Sequence, residues 1–169
     1  SSGGGGGVES SDLMEGRGIA LPPLAEESIR FFDSILPPYW SRKNPVDMVA
    51  SSNAEAYFLV VEELVKRSQY DMAFLIGYGV LGAIAIPALA HADSKFAKKI
   101  AGLVKVHGKP IFVVDVLGRD QSESARQFER AGLPVYRTVR SAVEQAYQMV
   151  RYQEYHKKRD YETEKGKGG

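Results

Sequence analysis

The sequence predicts an open parallel α/β sheet with helices on both faces, a three-layer fold. Two short runs, Met72–Ile76 and Ile111–Val116, are apolar at nearly every position, as a parallel strand covered on both faces requires. Segments with apolar residues at helical spacing lie before, between and after these runs. That alternation fits right-handed strand–helix–strand crossovers.

The chain has 169 residues, 44% hydrophobic and 25% charged, with a net charge of +1. One domain of this size buries roughly 70% of the surface its unfolded chain exposes. It is expected over residues 1–155, followed by a disordered charged tail over 156–169. With no cysteine, disulfides, thiolate metal sites and thiol catalysis are excluded, and the cytoplasm is the expected location. The longest apolar run, Ala83–Ala90, falls well short of the roughly 20 residues a membrane helix needs, so no membrane partner is expected. Near-neutral charge without a basic stripe argues against nucleic acid.

Five glycines, Gly3 to Gly7, stand ahead of Val8–Glu15, which can wind into a short helix closed by Gly16-Arg17-Gly18. Glycine amides that converge on a helix start suit an anion. A flexible lead segment is the equally weighted alternative. Ile19–Leu21 reads as a brief strand before Pro22-Pro23. Glu26–Leu36 is a helix with Ile29, Phe32, Ile35 and Leu36 inward and Glu26 and Glu27 in its first turn. Pro37-Pro38 ends it, and Tyr39 and Trp40 are expected to pack that loop on the core.

Asn53 can cap a helix through Tyr57, Val60, Val61, Leu64 and Val65 to Lys66-Arg67. The strand at Met72–Ile76 is followed by Gly77, Tyr78, Gly79 and Gly82, past the carboxyl end where ligands bind in open α/β sheets. Ala83–Ala90 reads as a short helix and Ser94–His107 as a clearer one. After Gly108-Lys109-Pro110 comes the strand Ile111–Val116, whose Asp115 ends on the same side. A helix over Ser122–Ala131, a short strand Leu133–Tyr136 and a last helix from Val139 to about Tyr155 follow. His91 and His107 read as structural, and no residues stand at metal-ligand spacing. A glycine-rich phosphate loop in such a fold follows a central strand, so the first strand is expected to lie outside the chain.

Taken together, Ser2-Gly3-Gly4-Gly5-Gly6-Gly7-Val8 running to Asp12, then Leu36-Pro37-Pro38 and Asn44-Pro45-Val46-Asp47, resemble the last domain of the NDP-forming (ADP-forming) acyl-CoA synthetases. The runs Tyr70-Asp71, Gly108-Lys109-Pro110 and Ala131–Tyr136 are similar to that family's closing elements. The resemblance covers about residues 2–155 and implies a flavodoxin-like CoA-ligase domain. It implies a part in converting an acid, CoA and ATP to acyl-CoA, ADP and phosphate, through a phosphohistidine carried by another domain.

By the same resemblance, Gly4, Gly5, Gly6, Gly7, Val8, Glu9 and Ser10 would face the phosphate. Asp12, Asn44, Asp47, Gly77 and Gly79 would support them. No catalytic residue is implied here, and no cofactor bound by this domain alone. CoA and ATP or ADP with Mg belong to the complete enzyme, and the partners implied are its phosphohistidine-bearing and ATP-grasp domains. Gly6 stands where the family often has proline, and Glu9 places a charge that repels phosphate. The alternative is a flavodoxin-like module that binds a small molecule or a partner without ligase activity.

Overall fold

The computed structural model describes the backbone of residues 1–50, 53–80, 83 and 89–166, and side chains among these up to residue 159. Three parallel strands, β1 (Ala73–Ile76), β2 (Ile111–Val114) and β3 (Val135–Tyr136), form a sheet in the order β1-β2-β3. Ala73 pairs with Ile111 and Ile76 with Val114; Val113 pairs with Val135 and Val114 with Tyr136. All four residues of β2 are buried, because helices cover both of its faces. The strand stops at Val114, two residues short of the expected Val116, although the Asp115 N–H still donates to the Tyr136 carbonyl.

Alternation along the strands divides the core. Leu75, Ile111 and Val113 pack with α2 (Glu26–Ile35), α3 (Ala54–Val65), α4 (Ala90–His107) and α6 (Glu123–Arg130). Ile76, Phe112 and Val114 pack with α1 (Gly4–Glu15) and α7 (Val139–Gly166), where Ala142 and Ala146 are fully buried. A single turn, α5 (Gly118–Gln121), precedes α6. This is the three-layer arrangement read from the sequence. None of the helices among the described residues is long and apolar enough to cross a membrane.

The helix boundaries follow local chemistry. The Asn53 side chain caps α3 by accepting from the Glu55 and Ala56 N–H groups, at 3.0 and 3.2 Å. Ser122 caps α6 through the Ala125 N–H. Gly108, at φ 67°, closes α4, which begins at Ala90 and not at Ser94. Of the short helix expected over Ala83–Ala90, residues 84–88 lie outside the described residues, as does Gly82.

Two expectations are corrected. Ile19–Leu21 is not a strand. The Ile19 N–H instead turns back to the Met14 carbonyl and closes α1, while Ile19 and Leu21 pack on the core beside it. The last helix does not end near Tyr155, and the segment from His156 is not a frayed tail as far as Gly166. Lys157, Lys158, Arg159, Glu162, Glu164 and Lys165 are good helix formers, and they carry α7 on as a polar helix.

Trp40 packs as expected, only 2% exposed, with its indole N–H donating to Asp33 at 2.8 Å. Tyr39 does not, being 73% exposed.

The chain start is seated in the sheet. The Ser2 N–H donates to the Ile76 carbonyl at 2.9 Å, while the Ser1 and Ser2 carbonyls accept from Met48 and Ala50, at 2.9 and 2.8 Å. The Ser1 ammonium donates to the Val46 carbonyl at 2.8 Å. Ser1 and Ser2 thus lie between the end of β1 and the segment that follows Asn44-Pro45.

Candidate functional site

The glycine run is not a loop. Gly3 is extended, at φ −161° and ψ 159°, and Gly4 to Gly7 form the first turn of α1. Helical geometry leaves the N–H groups of Gly3, Gly4, Gly5 and Gly6 without intrahelical acceptors. Those of Gly7, Val8, Glu9 and Ser10 point back to the carbonyls four residues earlier. Of the seven residues expected to face an anion, Gly4, Gly5 and Gly6 therefore have free amides, and Gly4 and Gly5 are exposed. The Ser10 hydroxyl is turned inward, donating to the Gly7 carbonyl at 2.7 Å. Val8 and Glu9 are exposed beyond the free amides.

Close packing explains glycine in this turn. A methyl group on Gly6 would lie 2.8 Å from Ile76 Cγ2, and one on Gly7 would lie 3.2 Å from Ser1 Oγ and 3.5 Å from Pro45 Cβ. On Gly5 it would meet nothing within 4 Å. The helix end is thus pressed against the carboxyl end of β1 and the Asn44-Pro45 turn, with Gly5 at its open apex.

The second sequence signature reaches the same place. Asp47 Oδ1 accepts from the Val49 N–H at 2.8 Å, and its Oδ2 lies 3.2 Å from the position a Gly4 methyl would take. A carboxylate beside a helix amino end stabilises the helix and competes with any arriving anion. Asn44 is spent on the scaffold, donating to the Pro22 carbonyl at 2.9 Å. Asp12 is exposed and sits about 12 Å along the helix from Gly4, so it does not join the site.

On the β1 side, Gly77 and Gly79 both have φ 75°, and Ser2 occupies the space a Gly77 side chain would need. Gly77 thus meets Ser2 next to the start of α1, whereas Gly79 packs against Ser124 and Asp93 and faces away from the glycine run. Tyr78 between the glycines is 1% exposed, donates to the Asp93 carbonyl at 2.8 Å, and packs edge-on against Tyr57 and Phe128. Asp115 is buried past β2, its Oδ1 accepting from Leu117 and Gly118 and its Oδ2 unpartnered.

Sequence reasoning missed a group of polar residues behind this edge. The Tyr57 hydroxyl is buried near Ser2 without a hydrogen bond of good geometry, and burial drives its pKa up. Asp93 is 6% exposed, and burial raises its carboxyl from 3.8 to about 6. Its spacing to Ala97 and Ile100 puts it on the buried stripe of α4, a signal present in the sequence.

Because the folded state holds the Asp93 proton more tightly than the unfolded chain, this residue costs stability progressively as pH rises from about 4 to about 6. Asp93→Asn removes that cost. Urea unfolding should show the variant gaining on the parent across that window and holding the gain above it; a constant difference at every pH would refute the assignment.

Burial also lowers the Ser1 ammonium from 8.0 to about 6, against the opposing pull of Asp47. His91 is exposed and His107 half-buried in the last turn of α4. Among the described residues, no cluster of histidine and carboxylate side chains could hold a metal ion.

The layers, the parallel order and a helix amino end at the carboxyl edge of the sheet define a flavodoxin-like α/β domain. No protein-family model matches the chain. It is 30% identical over 150 residues to the alpha subunit of acetate–CoA ligase (ADP-forming) II from Pyrococcus furiosus, covering 87% of this chain and 31% of that subunit. The crystal structure of PH0766 from Pyrococcus horikoshii OT3 is similar with a TM-score of 0.70 and 28% identity, covering 85% of this chain and 32% of that one. The chain is thus a homologue of part of the alpha subunit of an ADP-forming acetate–CoA ligase, in agreement with the family its motifs resemble, and spans about a third of that relative.

Proposed function

We propose that this chain is the flavodoxin-like domain of an NDP-forming acyl-CoA synthetase and that it holds a phosphohistidine presented by another domain. The observation that carries this reading is the all-glycine first turn of α1, with Gly4 and Gly5 exposed at the carboxyl edge of the sheet. A phosphorylated imidazole carries about two negative charges. Backbone donors at a helix start stabilise them without a basic side chain, and glycine lets the neighbouring domain approach the backbone closely. Asp47 and Glu9 oppose the charge, which favours release of the group once transfer is complete.

In this reading the chain supplies no catalytic side chain. CoA, and ATP or ADP with its magnesium ion, are held by the other domains of the enzyme, and the phosphohistidine and ATP-grasp domains are its partners in the cytoplasm.

Gly4 allows a direct test, because it is the first helical residue and follows an extended one. Proline is tolerated there and deletes the N–H while leaving the helix in place. With the complementary domains of such a synthetase added, Gly4→Pro should lower acyl-CoA-dependent ATP formation by roughly 10- to 100-fold, the scale of losing one preorganised donor. Gly4→Ala, which keeps the N–H, should stay near the parent rate. Equal rates for the two variants would remove the amide end from the mechanism.

A further inference from the structure

The outward face of α4 is basic. His91, Lys95, Lys98, Gly102 and Lys105 recur every three or four residues along it, opposite the buried Asp93, Ala97 and Ile100. The row carries no acid, because the one acidic residue of α4 is Asp93. We infer that this row is a docking surface for an acidic α-helix of a partner protein. α4 and α1 cover opposite faces of the sheet, so the surface is separate from the glycine turn and does not rest on the reading above.

The first observation is charge without a partner. Among the described residues, none of Lys95, Lys98, Lys99 and Lys105 is ion-paired to a carboxylate. Other helices pair their charges, as Arg126 does with Glu123 and Arg67 with Glu63. The chain as a whole is nearly neutral, at +1, so this concentration of charge is local. Lys99 is also held in place, its ammonium 4.7 Å from the Phe96 ring centroid and 5.5 Å from that of Phe58, and Lys95 lies 5.9 Å from Phe96. A cation already placed loses less freedom when a carboxylate arrives.

The second observation is Gly102. It lies inside an 18-residue helix, where only proline is a weaker helix former. A methyl group there would meet nothing within 4 Å, so no described residue of this chain requires the gap. What the missing side chain permits is the close approach of another backbone. A helix crossing at Gly102 would have Lys95 and Lys98 to one side of the crossing and Lys105 to the other, over about 15 Å of the α4 axis. Carboxylates three or four residues apart on the partner helix match that row. Nucleic acid and anionic membrane fit less well. Neither needs the gap at Gly102, and a nearly neutral chain lacks the broad positive field that a phosphate backbone calls for. Val106 is the one large apolar side chain exposed on α4, too little to enter a bilayer.

The experiment titrates the full chain into a fluorescent helical peptide of about 21 residues, with glutamate every three or four positions along one face and alanine between them, and into its glutamine twin. The glutamate peptide should bind and the twin should not, and raising salt from about 20 to about 200 mM should weaken binding roughly 10-fold. Lys98→Glu combined with Lys105→Glu should lose at least about 10-fold. Gly102→Gln should lose about as much while its Tm stays at or above the parent's, because glutamine is the better helix former and its Cβ meets no neighbour. The inference is overturned if Gly102→Gln binds as tightly as the parent, if the glutamine twin binds equally well, or if the glutamate peptide does not bind at low salt. It is also overturned if single-stranded DNA or phosphatidylserine vesicles bind more tightly than the peptide and are lost in the lysine variant but not in Gly102→Gln, because the face would then read charge alone.

Discussion

Gly79→Ala is expected to destabilise the protein by about 3 kcal/mol and to lower Tm by roughly 10 °C. Two costs add. The residue sits at φ 75°, where a side chain costs about 1–2 kcal/mol, and the new methyl would lie 2.9 Å from Ser124 Cβ. Ser124 has little room to move, since its hydroxyl is bonded to Ser122 at 3.0 Å where α6 begins. Gly5→Ala is the control. There the backbone is helical and the space is open, so alanine should stabilise by up to about 1 kcal/mol. Thermal unfolding of the two variants separates them by sign, and a Gly79→Ala protein with an unchanged Tm would contradict the turn geometry.

Phe32→Ala should cost about 3–5 kcal/mol. Its ring is fully buried, meets Trp40 edge-on with centroids 5.6 Å apart, and lies 6.0 Å from Phe31. Removing it leaves a void where α2 meets the loop after Pro37-Pro38. Trp40 is the only tryptophan, so its fluorescence should shift toward that of a solvated indole as urea unfolding moves to lower concentration. Phe32→Leu, which keeps most of the volume, should lose well under half as much. If Phe32→Ala unfolds at the parent's urea concentration, the ring does not anchor this side of the core.

The central strands were legible because burial on both faces demands continuous apolar residues, and Met72–Ile76 and Ile111–Val116 carry them. Asn53 and Gly108 were legible because helix ends have few chemical solutions. The glycine turn was not. Five glycines have almost no helical preference of their own, and Gly4–Gly7 are helical because Ile76, Pro45 and Ser1 leave no other seat for them. Ile19–Leu21 misled for the opposite reason: the residues suit a strand, but the Ile19 N–H is spent on the Met14 carbonyl at the end of α1.

The site was readable in part. The ordered motifs pointed to the glycine run and to Asp47, some forty residues apart in sequence, and the structure brings Asp47 beside Gly4. It does not bring Asp12 there, because helical rise carries that residue away, and it spends Asn44 on holding Pro22. Asp93 and Tyr57 escaped notice because each sits on an apolar helical stripe whose periodicity reads as core.

The all-glycine turn also has a kinetic side. Four helical glycines are about 4 kcal/mol less favourable than four alanines, so α1 cannot start itself at this end. The turn closes only after β1 and the Asn44-Pro45 segment have formed the surface that receives it. It is accordingly expected to be the last part of α1 to form and the first to fray.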